Sequence, residues 1–190
     1  VYAGYLLIAD AVKPDSAEAV RELRRSSIDC LAMLTGDSES TAKAVGEALQ
    51  LDEVHAKCLP ADKVSYMQQY REKLSSGRTL VFVGDGMNDA PVLAQSDVGV
   101  AMGGLGSDAA IAAADLVILD DKPSKLAFAV RVARKTMRLA RENIVFALGV
   151  KAVILVLGAC GLAGIGWAVF ADVGVSVIAI LNATRAMRQK

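Results

Sequence analysis

Thr79-Leu80-Val81-Phe82-Val83-Gly84-Asp85-Gly86-Met87-Asn88-Asp89-Ala90-Pro91 decides the fold. The apolar run Thr79 to Val83 reads as a buried strand that stops at a glycine. Two carboxylates follow, four residues apart, in a glycine-containing turn. Open α/β sheets place their ligands at the carboxyl ends of strands. Small residues there let a backbone approach a phosphate or a metal. Such a loop suits magnesium-assisted phosphoryl transfer, in which hard oxygen ligands hold the metal. The plainer alternative is a strand-to-helix loop with Asn88 or Asp89 as the helix cap.

Outward from this loop the chain alternates between strands and helices. Strands are expected at Tyr5 to Ala9, Cys30 to Leu34, Val54 to Cys58, Asp97 to Met102 and Asp115 to Leu119. Helices are expected from Pro14-Asp15, over Ser38 to Leu49, and from Pro60 to about Leu74. Alternation of this kind predicts a doubly wound, mostly parallel α/β sheet with helices on both faces. A flexible loop is expected at Gly103-Gly104-Leu105-Gly106.

From Ser124 the texture changes. Leu126, Val130, Ala133, Met137 and Ala140 fall at helical spacing, studded by Arg131, Arg134, Lys135, Arg138 and Arg141. Beyond Asn143 the only acid is Asp172, and the only base before Arg185 is Lys151. That stretch is long enough for two membrane spans of about 20 residues each. The expected organisation is an α/β domain over 1–123, a basic stalk helix over 124–142, and a transmembrane hairpin over 143–190. Its spans fall near 143–163 and 166–184. Basic residues at both ends of the hairpin put both ends, and the soluble domain, on the cytoplasmic side of a cell membrane. The 190 residues carry 21 basic and 21 acidic side chains, so charge offers no case for a nucleic-acid partner. Cys30, Cys58 and Cys160 are odd in number, lack metal-ligand spacing, and are expected as buried thiols. His55 is expected to be a surface or core histidine.

Three polar clusters fall near strand ends or helix starts: Thr35-Gly36-Asp37, Lys63, and Asp85 to Asp89. Together they offer a hydroxyl and amides for phosphoryl oxygens, a cation to neutralise them, and carboxylates for magnesium. Phosphoryl transfer is mostly positioning and charge neutralisation, so these are the parts it needs.

At this point a resemblance becomes specific. Met33-Leu34-Thr35-Gly36-Asp37 and Val83 to Pro91 resemble the P-type ATPases of the haloacid dehalogenase superfamily, and the likeness extends over essentially the whole chain. It implies that Thr35 and Gly36 bind the phosphoryl group and Lys63 neutralises it. Asp85 would ligate magnesium, with Asn88 and Asp89 completing the site. ATP would be the substrate. The family's phosphorylated aspartate stands in Asp-Lys-Thr-Gly, which does not occur here. The actuator domain, nucleotide-binding domain and earlier membrane helices are likewise expected to precede Val1, so this piece alone is expected to be inactive. Lys13 stands where many relatives carry arginine and is given no catalytic role.

The membrane pair bears on cargo. A charge near a bilayer centre costs on the order of 2.5 to 3.5 kcal/mol on insertion scales, so two such residues need a reason. At 1.5 Å per residue, Lys151 lies roughly 11 Å from Ile144, and Asp172 roughly 17 Å from Ala183. In an antiparallel hairpin these depths differ by about 6 Å, so a Lys-Asp contact is feasible. A hard carboxylate suits a divalent ion better than Cu(I). The second span, with Ala171-Asp172-Val173-Gly174 and Leu181-Asn182-Ala183, resembles the zinc, cadmium and lead exporters. By that resemblance Asp172 is a metal ligand and Lys151 a built-in counter-ion. Alternatives are a copper or cobalt pump, a membrane-tethered phosphatase using Asp10, and a non-catalytic regulatory fragment.

Overall fold

The computed structural model describes residues 12–84, 89–103, 108–120, 122–162 and 164–186. The expected strand at Tyr5 to Ala9, together with Asp10, lies outside them. The chain divides into two compact units, Val1–Ala127 and Phe128–Lys190.

In the first unit, α1 (Ser16–Arg25), β1 (Ala32–Leu34), α2 (Glu39–Leu49), β2 (Glu53–His55) and α3 (Pro60–Lys73) follow in order. They are succeeded by β3 (Val81–Gly84), α4 (Ala90–Gln95), β4 (Val98–Met102), α5 (Asp108–Ala113) and β5 (Leu116–Ile118). Every strand pair is parallel. β1 pairs with β2, and β3, β4 and β5 pair in that order, with Val83 beside Val100 and Met102 beside Ile118. The parallel α/β architecture expected from the alternation is therefore present.

Sequence chemistry sets the ends of these elements. Pro60 opens α3, where its missing N–H costs nothing, and the Asp62 carboxylate accepts from Leu59 N at 2.8 Å. Ser38 caps α2 by accepting from Thr41 N at 3.3 Å. α1 buries Ala19 and Leu23, one turn apart on one face, and carries Arg24 and Arg25 in its last turn.

β4 is the central strand of its sheet, and all of it except Val98 is buried. It reads as a near-continuous apolar run, as a strand covered on both faces should. Val92, Leu93 and Val100 are the largest fully buried side chains, each worth roughly 1.5–3 kcal/mol. Gly99 lets α4 close on β4, since a Cβ there would stand 2.8 Å from the Leu93 carbonyl oxygen. β3 departs from expectation. It alternates, with Gly84 buried but Val81 and Val83 exposed, so only one of its faces is covered.

The strands are also shorter than their apolar runs suggest, and an aspartate stands at the start of three of them. Asp52, Asp97 and Asp115 stand just ahead of β2, β4 and β5. Each carboxylate accepts a backbone N–H from the neighbouring parallel strand or the residue before it: Leu31, Leu80 and Gly99 respectively, all at 2.8 Å. Asp97 and Asp115 were expected to begin strands; they clamp strand starts instead. Cys58, expected at a strand end, lies beyond β2 and is buried. Cys30 and Cys160 are exposed, against the expectation that all three thiols are in a core. Cys30 lies on the approach to β1, whose first residue is itself exposed. Cys160 ends a helix with few neighbours.

The second unit consists almost entirely of the long helix α6 (Ser124–Ala159), whose first turn belongs to the first unit, and of α7 (Ile165–Ala183). At 36 and 19 residues they are about 54 Å and 29 Å long, against a bilayer core of about 30 Å. Both are long and apolar enough to cross a membrane. Ile144, Leu148, Leu155, Phe170, Val173 and Ile180 are all exposed, so these apolar faces are not those of a buried core helix.

Candidate functional site

The Thr35-Gly36-Asp37 turn leaves the carboxyl end of β1 and is fixed by the segment after β2. Thr35 N donates to the His55 carbonyl at 2.9 Å, Cys58 N donates to the Thr35 carbonyl at 2.9 Å, and Lys57 N donates to the Asp37 carbonyl at 2.9 Å. Within the turn, Thr35 Oγ1 donates to Asp37 Oδ2 at 2.8 Å and accepts from Asp37 N at 3.1 Å. The same segment runs on through Leu59 into α3, whose first turn carries Lys63. One loop thus anchors the threonine turn and delivers the lysine.

Lys63 Nζ lies 2.7 Å from Asp89 Oδ1. Asp89 is 7 % exposed and is the buried charged residue among the described residues of the first unit. It sits at the N-cap position of α4 yet makes no side-chain cap hydrogen bond. Its carboxylate turns to the ammonium instead, so the capping alternative does not describe it. Gly84 makes room for it: a Cβ on Gly84 would stand 2.8 Å from Asp89 Oδ2 and 2.9 Å from Asp89 Cβ. A side chain at residue 84 would collide with Oδ2. Hard oxygens in such a cradle fit a magnesium ion. Asp85 and Asn88 lie outside the described residues. The structure therefore brings Lys63 to Asp89 and Thr35 to Asp37. No hydrogen bond joins these two pairs.

In the second unit the feasible contact is made. Lys151 Nζ lies 2.9 Å from Asp172 Oδ1, bridging α6 and α7. The pair borders a groove of about 730 Å³ that is otherwise lined by apolar and small residues such as Ile154, Leu155, Gly158 and Ala168. Among the described residues, no cluster of three or more metal-ligating side chains accompanies Asp172.

Some polar groups were not legible from spacing. His55 Nε2 is 2.9 Å from Tyr70 Oη, and its ring packs on Tyr66 at 4.1 Å between centroids. Tyr70 Oη donates to Glu53. Burial, and then the Glu53 carboxylate, hold the Tyr70 phenol well above its usual range, while that bond holds Glu53 below its own. This cluster ties α3 to β2, so His55 is a packed, partnered histidine. Asn143 and Asn182 face each other across α6 and α7. Their only signal in sequence is that an amide flanks each apolar run.

Residues 1–97 match the haloacid dehalogenase-like hydrolase family model. A cadmium, zinc and cobalt-transporting ATPase of Bacillus subtilis (strain 168) is 54% identical over 189 residues, covering 100% of this chain and 27% of that protein. A zinc-transporting ATPase of Synechocystis is 53% identical over 184 residues, covering 97% of this chain and 25% of that protein. The crystal structure of a zinc-transporting PIB-type ATPase in the E2.Pi state superposes with a TM-score of 0.85 at 34% identity, over 94% of this chain and 28% of that one. The chain thus spans about a quarter of the length of the curated relatives it matches. With its parallel sheet, its Thr35 turn and its Lys63–Asp89 pair, this chain belongs to the haloacid dehalogenase-like hydrolase family.

Proposed function

We propose that the chain is the phosphoryl-handling and helix-hairpin portion of an ATP-driven P-type pump that exports divalent metal ions across a cell membrane, zinc and cadmium foremost. Lead belongs to the same class of cargo. Cobalt, which sequence reasoning set beside copper, joins zinc and cadmium in the name of the Bacillus relative. The single observation that carries this reading is the Lys151–Asp172 ion pair within the apolar stretch from Ile144 to Ala183, which holds no other charged side chain. Two charges in such a place need a polar task, and a carboxylate facing a lysine can exchange one cation for another. Asp172 is the metal ligand in this reading. Lys151 is the resident counter-ion that takes the carboxylate when the metal leaves.

In the α/β unit, Thr35 and the Gly36 amide hold phosphoryl oxygens, Asp37 orients the Thr35 hydroxyl, and Lys63 neutralises charge. Asp89 holds Lys63 in place and, with Asp85 and Asn88, provides the magnesium site. Magnesium supplies charge stabilisation to the transferring phosphoryl group. The aspartate that carries the phosphoryl group belongs to another part of the parent pump, as do the actuator, nucleotide-binding and upstream membrane segments. The basic stripe from Arg131 to Arg141 supports a cytoplasmic position for the α/β unit.

The test is ATPase activity of the full-length pump in detergent, with zinc, cadmium, lead, cobalt and Cu(I) added in turn, wild type beside Asp172→Ala. Stimulation by the divalent ions that is lost in the variant, with phosphorylation by inorganic phosphate retained, is the expected result. Stimulation by Cu(I) alone, or equal stimulation in the variant, sinks the cargo assignment.

A further inference from the structure

Among the described residues, two polar links join α6 to α7. One is the ion pair; the other is an amide clamp between the middle of α6 and the C-terminal end of α7. Asn143 Nδ2 donates to the Ala179 carbonyl at 3.2 Å, and Asn182 Nδ2 donates to Asn143 Oδ1 at 2.8 Å. Arg185 Nη1 in turn donates to Asn182 Oδ1 at 3.1 Å. Both amides are half-buried. Each Asn therefore donates and accepts at once, and the link reads both a backbone carbonyl and a side chain of the opposing helix.

We infer that Asn143 and Asn182 are positioning residues that set the axial register of α6 against α7, and thereby bring Lys151 to Asp172. This inference rests on the transport reading above for its functional consequence, though not for its geometry. The spacing fits: Lys151 lies 8 residues beyond Asn143, about 12 Å along α6, and Asp172 lies 7 residues before Ala179, about 10.5 Å along α7. Clamp and ion pair thus share one antiparallel register.

Little else along the hairpin specifies it. Apolar side chains slide past one another at small cost where the solvent is equally apolar. Cβ atoms on Gly149 and Gly174 would meet nothing within 4 Å, so neither glycine marks a close crossing that locks the helices. Beside the ion pair the helices part into the 730 Å³ groove. A slip of one helical turn, about 5.4 Å, would leave the apolar contacts much as they are and break the 2.9 Å ion pair. One buried asparagine is known to fix register between helices in the same manner, because a misaligned amide is left unpaired.

The test uses the full-length pump in two readouts. The first is the free zinc concentration for half-maximal ATPase stimulation in Asn143→Leu, in Asn182→Leu and in the double variant. Asn143→Leu, which removes both contacts, is expected to raise it about tenfold with kcat at saturating zinc retained, Asn182→Leu to raise it by less, and the double variant no further than Asn143→Leu. Asn182→Ala is the milder variant should the leucines impair assembly. The second readout ignores transport: oxidative cross-linking of Lys151→Cys with Asp172→Cys, with Cys30, Cys58 and Cys160 replaced by serine. Cross-linking is expected to be efficient with the clamp intact and to fall severalfold with Asn143→Leu or Asn182→Ala. Unchanged cross-linking overturns the register claim. A fall in kcat at unchanged half-saturation overturns the link from register to metal. Clamp-dependent cross-linking of the cysteine pair, beside a wild-type pump that zinc does not stimulate, leaves the register claim standing and sinks the transport reading.

Discussion

Lys63 Nζ meets Asp89 Oδ1 at 2.7 Å, and this contact draws the carboxylate away from the helix terminus that its position would otherwise let it cap. An N-cap is worth about 1 kcal/mol, whereas a carboxylate this deeply buried without a partner costs several times as much. The burial of Asp89 therefore decides the outcome. The lysine arrives because Pro60 starts α3 where it does, placing residue 63 in the first turn.

Removing one partner of this pair should be far worse than removing both. Lys63→Met leaves Asp89 buried and unpaired and should lower stability by about 3 kcal/mol. Lys63→Met with Asp89→Leu should recover most of that loss. Neither variant should be phosphorylated. Thermal unfolding of the pump in detergent, beside phosphorylation by inorganic phosphate, measures both effects. Equal stability of the single and double variants would mean that the pair carries no buried charge.

Gly84 holds its place by exclusion. Gly84→Ala forces a Cβ to within 2.8 Å of Asp89 Oδ2, against a carboxylate that Lys63 already pins. Overpacking of this kind costs typically 1–3 kcal/mol. The affinity for magnesium should fall more steeply than stability does, because the new methyl crowds Oδ2, the oxygen that Lys63 does not hold. Magnesium titration of phosphorylation checks this, and an unchanged half-saturation would place the ion elsewhere.

The parallel sheet character and both long helices were legible because each rests on a run of like residues: Val98 to Met102 on continuous apolarity, Ile144 to Ala183 on the near-absence of charge. The contact between Lys151 and Asp172 was legible because helix rise converts sequence position into depth. Four things were not. That Asp52, Asp97 and Asp115 clamp strand starts depends on which strands become neighbours, which no local pattern encodes. The half-covered face of β3 depends on what packs against it, and the short helices α4 and α5 were not anticipated because six residues are too few to display a period. The coupling of Gly84 to Asp89 spans a turn whose geometry spacing alone does not give.

The aspartate clamps make a prediction about acid. Backbone donation from Leu31 holds Asp52 below its ordinary 3.8, with Arg24 helping; donation from Leu80 does the same for Asp97, with Arg71 helping. A carboxyl whose folded-state pKa is depressed binds fewer protons folded than unfolded. Its stabilisation is complete above the ordinary value and is lost as pH falls through the depressed one. Stability of the pump should therefore drop below about pH 4, and Asp52→Asn with Asp97→Asn should make that acid limb shallower while lowering the plateau at neutral pH. Melting temperatures from pH 3 to 7 decide it. An acid limb of unchanged slope in the double variant would assign the acid sensitivity to other groups.

The ion pair in the hairpin separates assembly from transport. Replacing one member strands the other charge among apolar side chains, at a cost on the order of 2.5–3.5 kcal/mol. Lys151→Leu and Asp172→Leu should each lower the detergent-solubilised melting temperature. The double change should restore it, since no charge is then left without its partner. Zinc-stimulated ATPase should be absent from Asp172→Leu and from the double variant alike. A carboxylate that mattered only as the partner of Lys151 would give a double variant that is both stable and active. A stable, inactive double variant is the result that assigns Asp172 a task beyond holding the helices together.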